Sequence, residues 1–196
     1  MNKGVWLLID PTGPLAGLAI AQQEDVLASF VCSGKSLLER LSRGVKDLSE
    51  VLSVPSFEGV AVVVGPGSMM GGRIAVAWAR GASKELLLKG VDAHQVLREW
   101  GGEEKGREHW TAQKIVRGRI ALSRGGPPFL LSERDGVSRA QKHGPLWTGY
   151  LPPDLVKEPG RATLQEGSLP QFEAMWSVVK RSSPSAPQSL KPLFLD

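Results

Sequence analysis

Two short stretches of the sequence combine residue types that can bind phosphate. "GPGS" (65–68) follows an apolar run and precedes a helical pattern, so that Ser68 is a candidate N-cap and nearby backbone N–H groups could face an anion. Asp10, in "DPTG", ends another apolar run and could meet a magnesium ion. Any tight strand-to-helix turn needs similar glycines. We interpret Gly65, Pro66, Gly67 and Ser68 as a structural loop, with anion binding as the open alternative.

Other candidates for chemistry are weaker. "SGKS" (33–36) lacks the upstream glycine of a phosphate loop, because Ser29 occupies that position. The three histidines, at positions 94, 109 and 143, lie in separate segments without metal-ligand spacing. Acidic pairs such as those in "GGEE" are adjacent and solvated rather than facing. We therefore predict no catalytic residue, no metal site and no cofactor.

Composition favours a folded intracellular protein. The chain has 196 residues, 41% of them hydrophobic, and a formal charge of +4, which is too small to establish nucleic-acid binding. Cys32 is the only cysteine, so an intramolecular disulfide is excluded and an oxidising compartment is not indicated. No stretch approaches the roughly 20 apolar residues of a membrane span. We expect a cytoplasmic protein without a membrane partner.

The first hundred residues alternate in a regular way. Apolar runs predict strands at 4–10, 15–22, 25–32, 59–65 and near 89–92, while apolar positions at steps of three and four predict helices at 36–53, 70–88 and 93–100. The order is β-β-β-α-β-α-β-α. Hairpins followed by alternation predict an α/β fold with a mixed sheet, an antiparallel edge and helices on its faces.

The remainder of the chain has a weaker pattern. "GGEEKGRE" (101–108) is typical of a linker, and it divides a first lobe, 1–100, from a smaller second lobe, 109–196. Within the second lobe, strands are expected at 109–116, 118–124 and 127–133, and an amphipathic helix at 169–181.

Several motifs together resemble one family. "GPGSMMGGRIAVAWARG" resembles the "GPGSFTGLRIG" signature of the TsaB (YeaZ) family, and "LLIDPT" is similar to that family's opening "LAIDTS". "GKSLLERLSRGVKDL" and "VDAHQVLREW" resemble its "HSERLLPLIDELL" and "VSSLEALA". In the second lobe, "RGRIAL" and "KPLFLD" are similar to its "R-x-G-E-V-Y" and "P-x-Y-L-R". The resemblance is continuous over 4–100 and patchy beyond, as in a divergent, shortened member.

This resemblance implies a fold and a role. The fold is the two-lobed actin-like, heat-shock and sugar-kinase ATPase architecture (ribonuclease H-like), whose first lobe has the element order read above. The family's member is a non-catalytic platform for TsaD, which transfers a threonylcarbamoyl group to the adenosine beside the tRNA anticodon. The implied partners are a TsaD-like subunit and a TsaE-like ATPase, with tRNA bound only through the complex.

The docking helices implied by the resemblance are 36–53 and 70–88. The interface residues expected on them are Leu37, Arg40, Leu41, Gly44, Arg73, Ala77, Arg80 and Gly81. The stripe of Ala75, Ala79 and Ala82 is assigned to the protein's own core. A homodimer could use the same helices.

Two other functions stay open. One is an ATP-dependent small-molecule kinase or a hydrolase on the same fold, using Asp10 and the 65–68 loop. The first turn of the ATPases reads "D-x-G-T", whereas "DPTG" exchanges Gly and Thr, which argues against a phosphate cradle. The other is a direct RNA-binding module, based on charge and on scattered arginine and tryptophan residues.

Overall fold

The protein contains two five-stranded sheets. The computed structural model describes residues 4–13, 15–32, 36–82, 85–101, 110–116, 118–141, 146–148, 165–166, 170–186 and 189–192. Within these ranges lie ten strands and five helices.

The first sheet is built from the alternating half of the chain. Its elements are β1 Val5–Asp10, β2 Ala16–Gln22, β3 Asp25–Cys32, α1 Leu37–Val51, β4 Gly59–Gly65, α2 Met69–Ala82, β5 Leu87–Asp92 and α3 Ala93–Gly101. The strand order is β3-β2-β1-β4-β5. β1, β2 and β3 pair antiparallel, while β4 lies parallel to both β1 and β5. The predicted element order and the mixed sheet are confirmed.

The second sheet follows in the chain. Its elements are β6 Trp110–Val116, β7 Arg119–Ser123, β8 Phe129–Ser132, α4 Glu133–Gln141, β9 Leu146–Thr148 and β10 Gln165–Glu166, before a last helix, α5 Phe172–Arg181. The strand order is β10-β9-β6-β7-β8. The three predicted strands correspond to β6, β7 and β8. Helix α4 was not predicted, since its sequence, "ERDGVSRAQ", has few apolar residues.

Helices cover both faces of the first sheet. On one face, α1 and α2 pack on alternate strand residues such as Leu7, Ile9 and Val62. On the other face, α3 and α5 pack on the intervening residues, which include Trp6 and Leu8. Strands β1 and β4, buried on both faces, therefore consist of continuous apolar runs.

The C-terminal segment wraps around the first sheet. Helix α5 packs on the α3 side, Ser185 then pairs with Leu88 at the β5 edge, and Leu190 is buried on the α1–α2 side. The buried Lys89 amine donates to the Val179 carbonyl across 2.7 Å, which joins β5 to α5. The sequence placed this helix in the second lobe, but its packing places it on the first sheet.

One helix boundary was wrong. Helix α2 ends at Ala82, and Leu87 and Leu88 belong to β5, so the docking helix does not extend to residue 88. A run of apolar residues near a helix end fits either element, and here pairing with β4 makes it a strand. The predicted linker beyond Gly101, together with the histidines at 109 and 143, lies outside the described residues.

Candidate functional site

The turn after β1 organises the candidate site. The Asp10 carboxylate accepts hydrogen bonds from the Thr12 backbone N–H at 2.9 Å and from the Thr12 hydroxyl at 2.5 Å. Burial raises the pKa of Asp10, and the two bonds from Thr12 oppose that rise. One oxygen of the carboxylate is thus used to shape its own turn.

The glycine loop after β4 packs directly on that turn. A Cβ on Gly67 would lie 2.6 Å from Thr12 Cβ and 2.7 Å from the Thr12 carbonyl oxygen. A Cβ on Gly71 would lie 2.6 Å from the Pro11 carbonyl oxygen. The Ser68 N–H donates to the Thr12 carbonyl at 3.1 Å, which holds the two turns together. Only glycine permits this approach of two backbones.

Ser68 begins helix α2 as its N-cap. Its hydroxyl accepts from the Gly71 N–H at 3.1 Å, and its carbonyl accepts from the Gly72 N–H at 2.8 Å. The predicted cap is confirmed. The N–H groups of residues 68, 71 and 72 are therefore occupied by contacts within the chain, so the loop packs rather than presenting these donors to an anion.

The second sheet also contacts this turn. The Gln113 side chain on β6 donates from Nε2 to the Thr12 carbonyl at 3.1 Å, and this contact is buried. Sequence reasoning missed Gln113, because 101 positions separate it from Thr12 and nothing local marks the pair. In the sequence, Thr12 stands out only as part of "DPTG". In the structure, its backbone joins three segments: the turn after β1, the loop before α2, and β6.

A second buried contact joins α3 to the second sheet. His94 Nδ1 lies 2.9 Å from the Thr111 hydroxyl, which is 3.3 Å from the Ser123 carbonyl. Burial, aided by the nearby Arg98 charge, lowers the pKa of His94 to about 3. The imidazole is therefore neutral at pH 7. The prediction that His94 is a lone polar or capping residue rather than a metal ligand stays a prediction.

Helices α1 and α2 lie side by side on the sheet and leave an exposed surface. Trp78 Nε1 donates to the Ser42 hydroxyl at 3.1 Å and links the two helices. We call this surface the α1–α2 face and define it by Leu38, Met69, Met70, Arg73, Ala77, Arg80 and Gly81, all exposed. Leu38 is 54% exposed and Met70 64%, which is unusual for large apolar side chains.

The predicted interface residues divide into two groups. Arg73, Ala77, Arg80 and Gly81 are exposed on α2, Arg40 is exposed on α1, and Leu37 is half-buried. Leu41 and Gly44 face the sheet instead. Leu41 is fully buried, and a Cβ on Gly44 would lie 2.8 Å from both Leu18 Cδ1 and Phe30 Cδ1.

Leu41 and Gly44 are therefore corrected to core residues. Both lie on the stripe of α1 that the chain's own sheet covers. Helical periodicity in the sequence indicates that such a stripe is buried, but it does not show whether the chain's own sheet or a partner protein buries it. Ala75 and Ala79 are buried as expected, whereas Ala82, in the last turn of α2, is exposed.

A pocket of about 280 Å³ opens between the first turns of α1 and α2. Leu37, Met70 and Ile74 line it together with Pro11 and Ser68. Cys32 also reaches this pocket but is only 7% exposed, and burial raises the pKa of its thiol. The pocket thus joins the Asp10 turn to the α1–α2 face.

Two further features were sought in the described part of the chain. No group of three or more His, Cys, Asp or Glu side chains there is arranged to hold a metal ion. Among the described helices, none is both long and apolar enough to cross a bilayer.

Known protein structures share the fold of this chain. A Pseudomonas aeruginosa protein described by its similarity to the peptidase YeaZ superimposes with a TM-score of 0.74 at 18% identity, covering 98% of this chain and 99% of its own. YeaZ from Pseudomonas aeruginosa superimposes with a TM-score of 0.70 at 16% identity, covering 97% and 99%. No protein-family model and no curated protein sequence matches the chain. The chain therefore has the fold of these two proteins, and its mixed sheet with helices on both faces is the α/β architecture that the sequence predicted.

Proposed function

We propose that the chain is a non-catalytic partner subunit of a tRNA-modifying complex. It would support a TsaD-like threonylcarbamoyl transferase that modifies the adenosine beside the anticodon, with a TsaE-like ATPase as a further partner. The observation that carries the proposal is the match of almost the whole chain to the YeaZ fold, combined with the "GPGS" motif between β4 and α2.

The closed Asp10 turn supports a role without chemistry. A phosphate bound between the turns after β1 and β4 would require these two turns to part. Here Gly67 lies against Thr12, and Asp10 is buried and bonded to the same residue. Because opening this contact would break the hydrogen bond from the Ser68 N–H to the Thr12 carbonyl, it disfavours the kinase or hydrolase alternative.

The α1–α2 face supports docking of a protein partner. It carries exposed methionines, which adapt to different surfaces, beside two arginines and a small residue, Ala77. Helix α2 contains no acidic residue. We infer that the partner presents two helices with apolar side chains at the centre and carboxylates at the rim.

The decisive experiment is co-purification of the full chain with the TsaD-like protein of the same host. Ala77→Glu places a carboxylate on the α1–α2 face, and Gln95→Glu, on the exposed side of α3, is the matched control. A carboxylate buried at a helix contact costs several kcal/mol, or roughly a hundredfold or more in affinity. We expect Ala77→Glu to lose the complex and Gln95→Glu to retain it, with both isolated chains melting like the unmodified protein.

Two outcomes would contradict the proposal. One is a complex that survives Ala77→Glu with unchanged affinity, since the face would then be unused. The other is ATP turnover by the isolated chain that Asp10→Asn abolishes, which would support the kinase or hydrolase instead. Sedimentation of the isolated chain, with and without Ala77→Glu, tests whether a homodimer uses the same face.

A further inference from the structure

The positive charge of this protein is concentrated in one segment. Residues 110–141 contain six arginines and lysines but only two acidic residues, whereas the rest of the chain contains eighteen of each sign. The formal charge of +4 therefore resides in β6, β7, β8 and α4. Such an asymmetry points to an anionic partner for this part of the surface.

Both acidic residues of the segment have local roles. Glu133 is 3.1 Å from the Lys114 amine in a largely buried ion pair. Asp135 accepts from the Ser132 hydroxyl at 2.6 Å, and the same hydroxyl accepts from the Asp135 N–H, which caps α4. The remaining described cations of the segment are all exposed. Three of them lie on α4 or on the side of the second sheet that α4 covers, and we call them the arginine face: Arg124, Arg134 and Arg139.

Two of these arginines lie on an aromatic pair. The Arg124 guanidinium is 5.7 Å from the centre of the Trp110 ring, and that of Arg139 is 5.1 Å from the centre of the Phe129 ring. The two rings meet edge to face with centres 6.0 Å apart. Cation–π contact restricts each guanidinium, so less side-chain entropy is lost when its N–H groups bind an anion.

The loop that carries Arg124 is itself fixed. The Ser123 hydroxyl donates to the Gly126 carbonyl at 2.8 Å and accepts from the Gly125 N–H at 3.3 Å. At the other end of the hairpin, Arg119 pairs in register with Ser132, two residues before Arg134. A Cβ on Gly136 of α4 would meet Ile120 and Leu131, so Arg119 and Ser132, one position along each strand, point to the opposite side of the sheet. The arginine face therefore comprises the three arginines on the α4 side.

We propose that the arginine face binds the phosphate backbone of RNA, and that this RNA is the tRNA substrate. The identity of the RNA rests on the proposed function. Arginine rather than lysine dominates the face, and the planar guanidinium binds phosphate oxygens in pairs and stacks on exposed bases. Because α1 and α2 pack on the first sheet and α4 on the second, tRNA and the protein partner can be bound together.

The test measures tRNA binding by the full chain, by fluorescence anisotropy between 50 and 200 mM salt, a range over which backbone contacts weaken strongly. Three phosphate contacts predict a slope of log K against log salt of about −2 to −3. Arg124→Glu with Arg139→Glu should reduce the magnitude of that slope by about two and weaken binding at least tenfold at 50 mM salt. Arg43→Glu with Lys46→Glu changes the charge equally on exposed positions of α1 and should leave the slope unchanged.

A second variant guards against misfolding. Arg134→Glu leaves the aromatic pair intact and should weaken binding and reduce the magnitude of the slope by about one, with an unchanged melting temperature. Equal weakening by the α1 pair would overturn the proposal, because it would show attraction to net charge alone. Loss of the TsaD-like partner with unchanged tRNA binding would also overturn it and identify the face as a protein contact.

The two proposals fail separately. Ala77→Glu should release the protein partner and leave tRNA binding intact, while the Arg124 and Arg139 reversals should do the opposite. A chain that binds tRNA through the arginine face but has no TsaD-like partner contradicts the proposed function and not the RNA contact.

Discussion

Gly67→Ala tests whether the glycine loop exists for close packing of two backbones. The new Cβ would lie 2.6 Å from Thr12 Cβ, 2.7 Å from the Thr12 carbonyl oxygen and 2.9 Å from Thr12 Cα. Two of these atoms belong to the backbone, so no side-chain rotation relieves the overlap. Either turn has to move by several tenths of an ångström or more.

The size of the effect follows from what that movement disturbs. Overpacking of a buried site costs about 1–3 kcal/mol. The displaced Thr12 carbonyl also accepts from Ser68 N–H and Gln113 Nε2, and weakening these bonds adds about 1 kcal/mol. We expect a loss of about 2–4 kcal/mol, which for a chain of this size lowers Tm by roughly 5–15 °C.

The matched control is Gly81→Ala in helix α2. A Cβ on Gly81 would meet no atom within 4 Å, and replacing glycine by alanine in a helix stabilises it by up to about 1 kcal/mol. Thermal unfolding followed by circular dichroism should therefore shift down for Gly67→Ala and slightly up for Gly81→Ala. Equal melting temperatures for the two variants would refute the packing explanation, and nucleotide binding lost by Gly67→Ala alone would favour a phosphate site.

Four further results are expected. Ser68→Ala removes the α2 cap and should destabilise the chain by about 1 kcal/mol in urea unfolding, whereas no loss would mean that the cap is replaced by water. The pKa of His94 is lowered to about 3 in the fold, so its neutral form stabilises the protein above pH 6.5. This contribution to the free energy of unfolding declines by about 1.4 kcal/mol per pH unit as the pH falls from 6.5 towards 3. The unfolding free energies of the unmodified protein and His94→Gln should therefore converge over that range, and a constant difference would show that His94 is solvated. Cys32 is buried with a raised pKa, so a thiol reagent should react slowly with the native chain and rapidly in denaturant; fast native reaction would show an open pocket. Proteolytic cleavage at the predicted linker, 101–108, should leave fragments that elute together, because α5 packs on the first sheet; separate elution would contradict that packing.

Local patterns were enough to predict most of the first sheet. Continuous β-branched runs identified β4, and steps of three and four identified α1, because burial by the chain itself produces both patterns. The same patterns could not tell which element covers an apolar stripe. Leu41 and Gly44 were assigned to a partner for that reason, and Leu87 to a helix.

The candidate site depended more on distant contacts. Ser68 could be predicted as a cap because N-capping is local. The acceptor, Ser68, and the donor, Gly71, are only three residues apart. The contact of Gln113 with Thr12, and that of His94 with Thr111, join segments through the folded backbone and leave no spacing in the sequence. The net charge of the chain does not reveal the arginine face, because it is only +4 in total. Outside 110–141, eighteen cationic and eighteen acidic residues cancel.

The path of the C-terminal segment affects how the chain is synthesised. Met175, Val179 and Leu190 complete the two apolar layers of a sheet whose last strand ends at Asp92. During translation, part of both faces of the first sheet consequently stays uncovered until nearly a hundred more residues have been synthesised. Pairings of such long sequence separation fold slowly and expose apolar surface meanwhile. We therefore expect nascent chains shorter than about residue 190 to need chaperone protection on the ribosome.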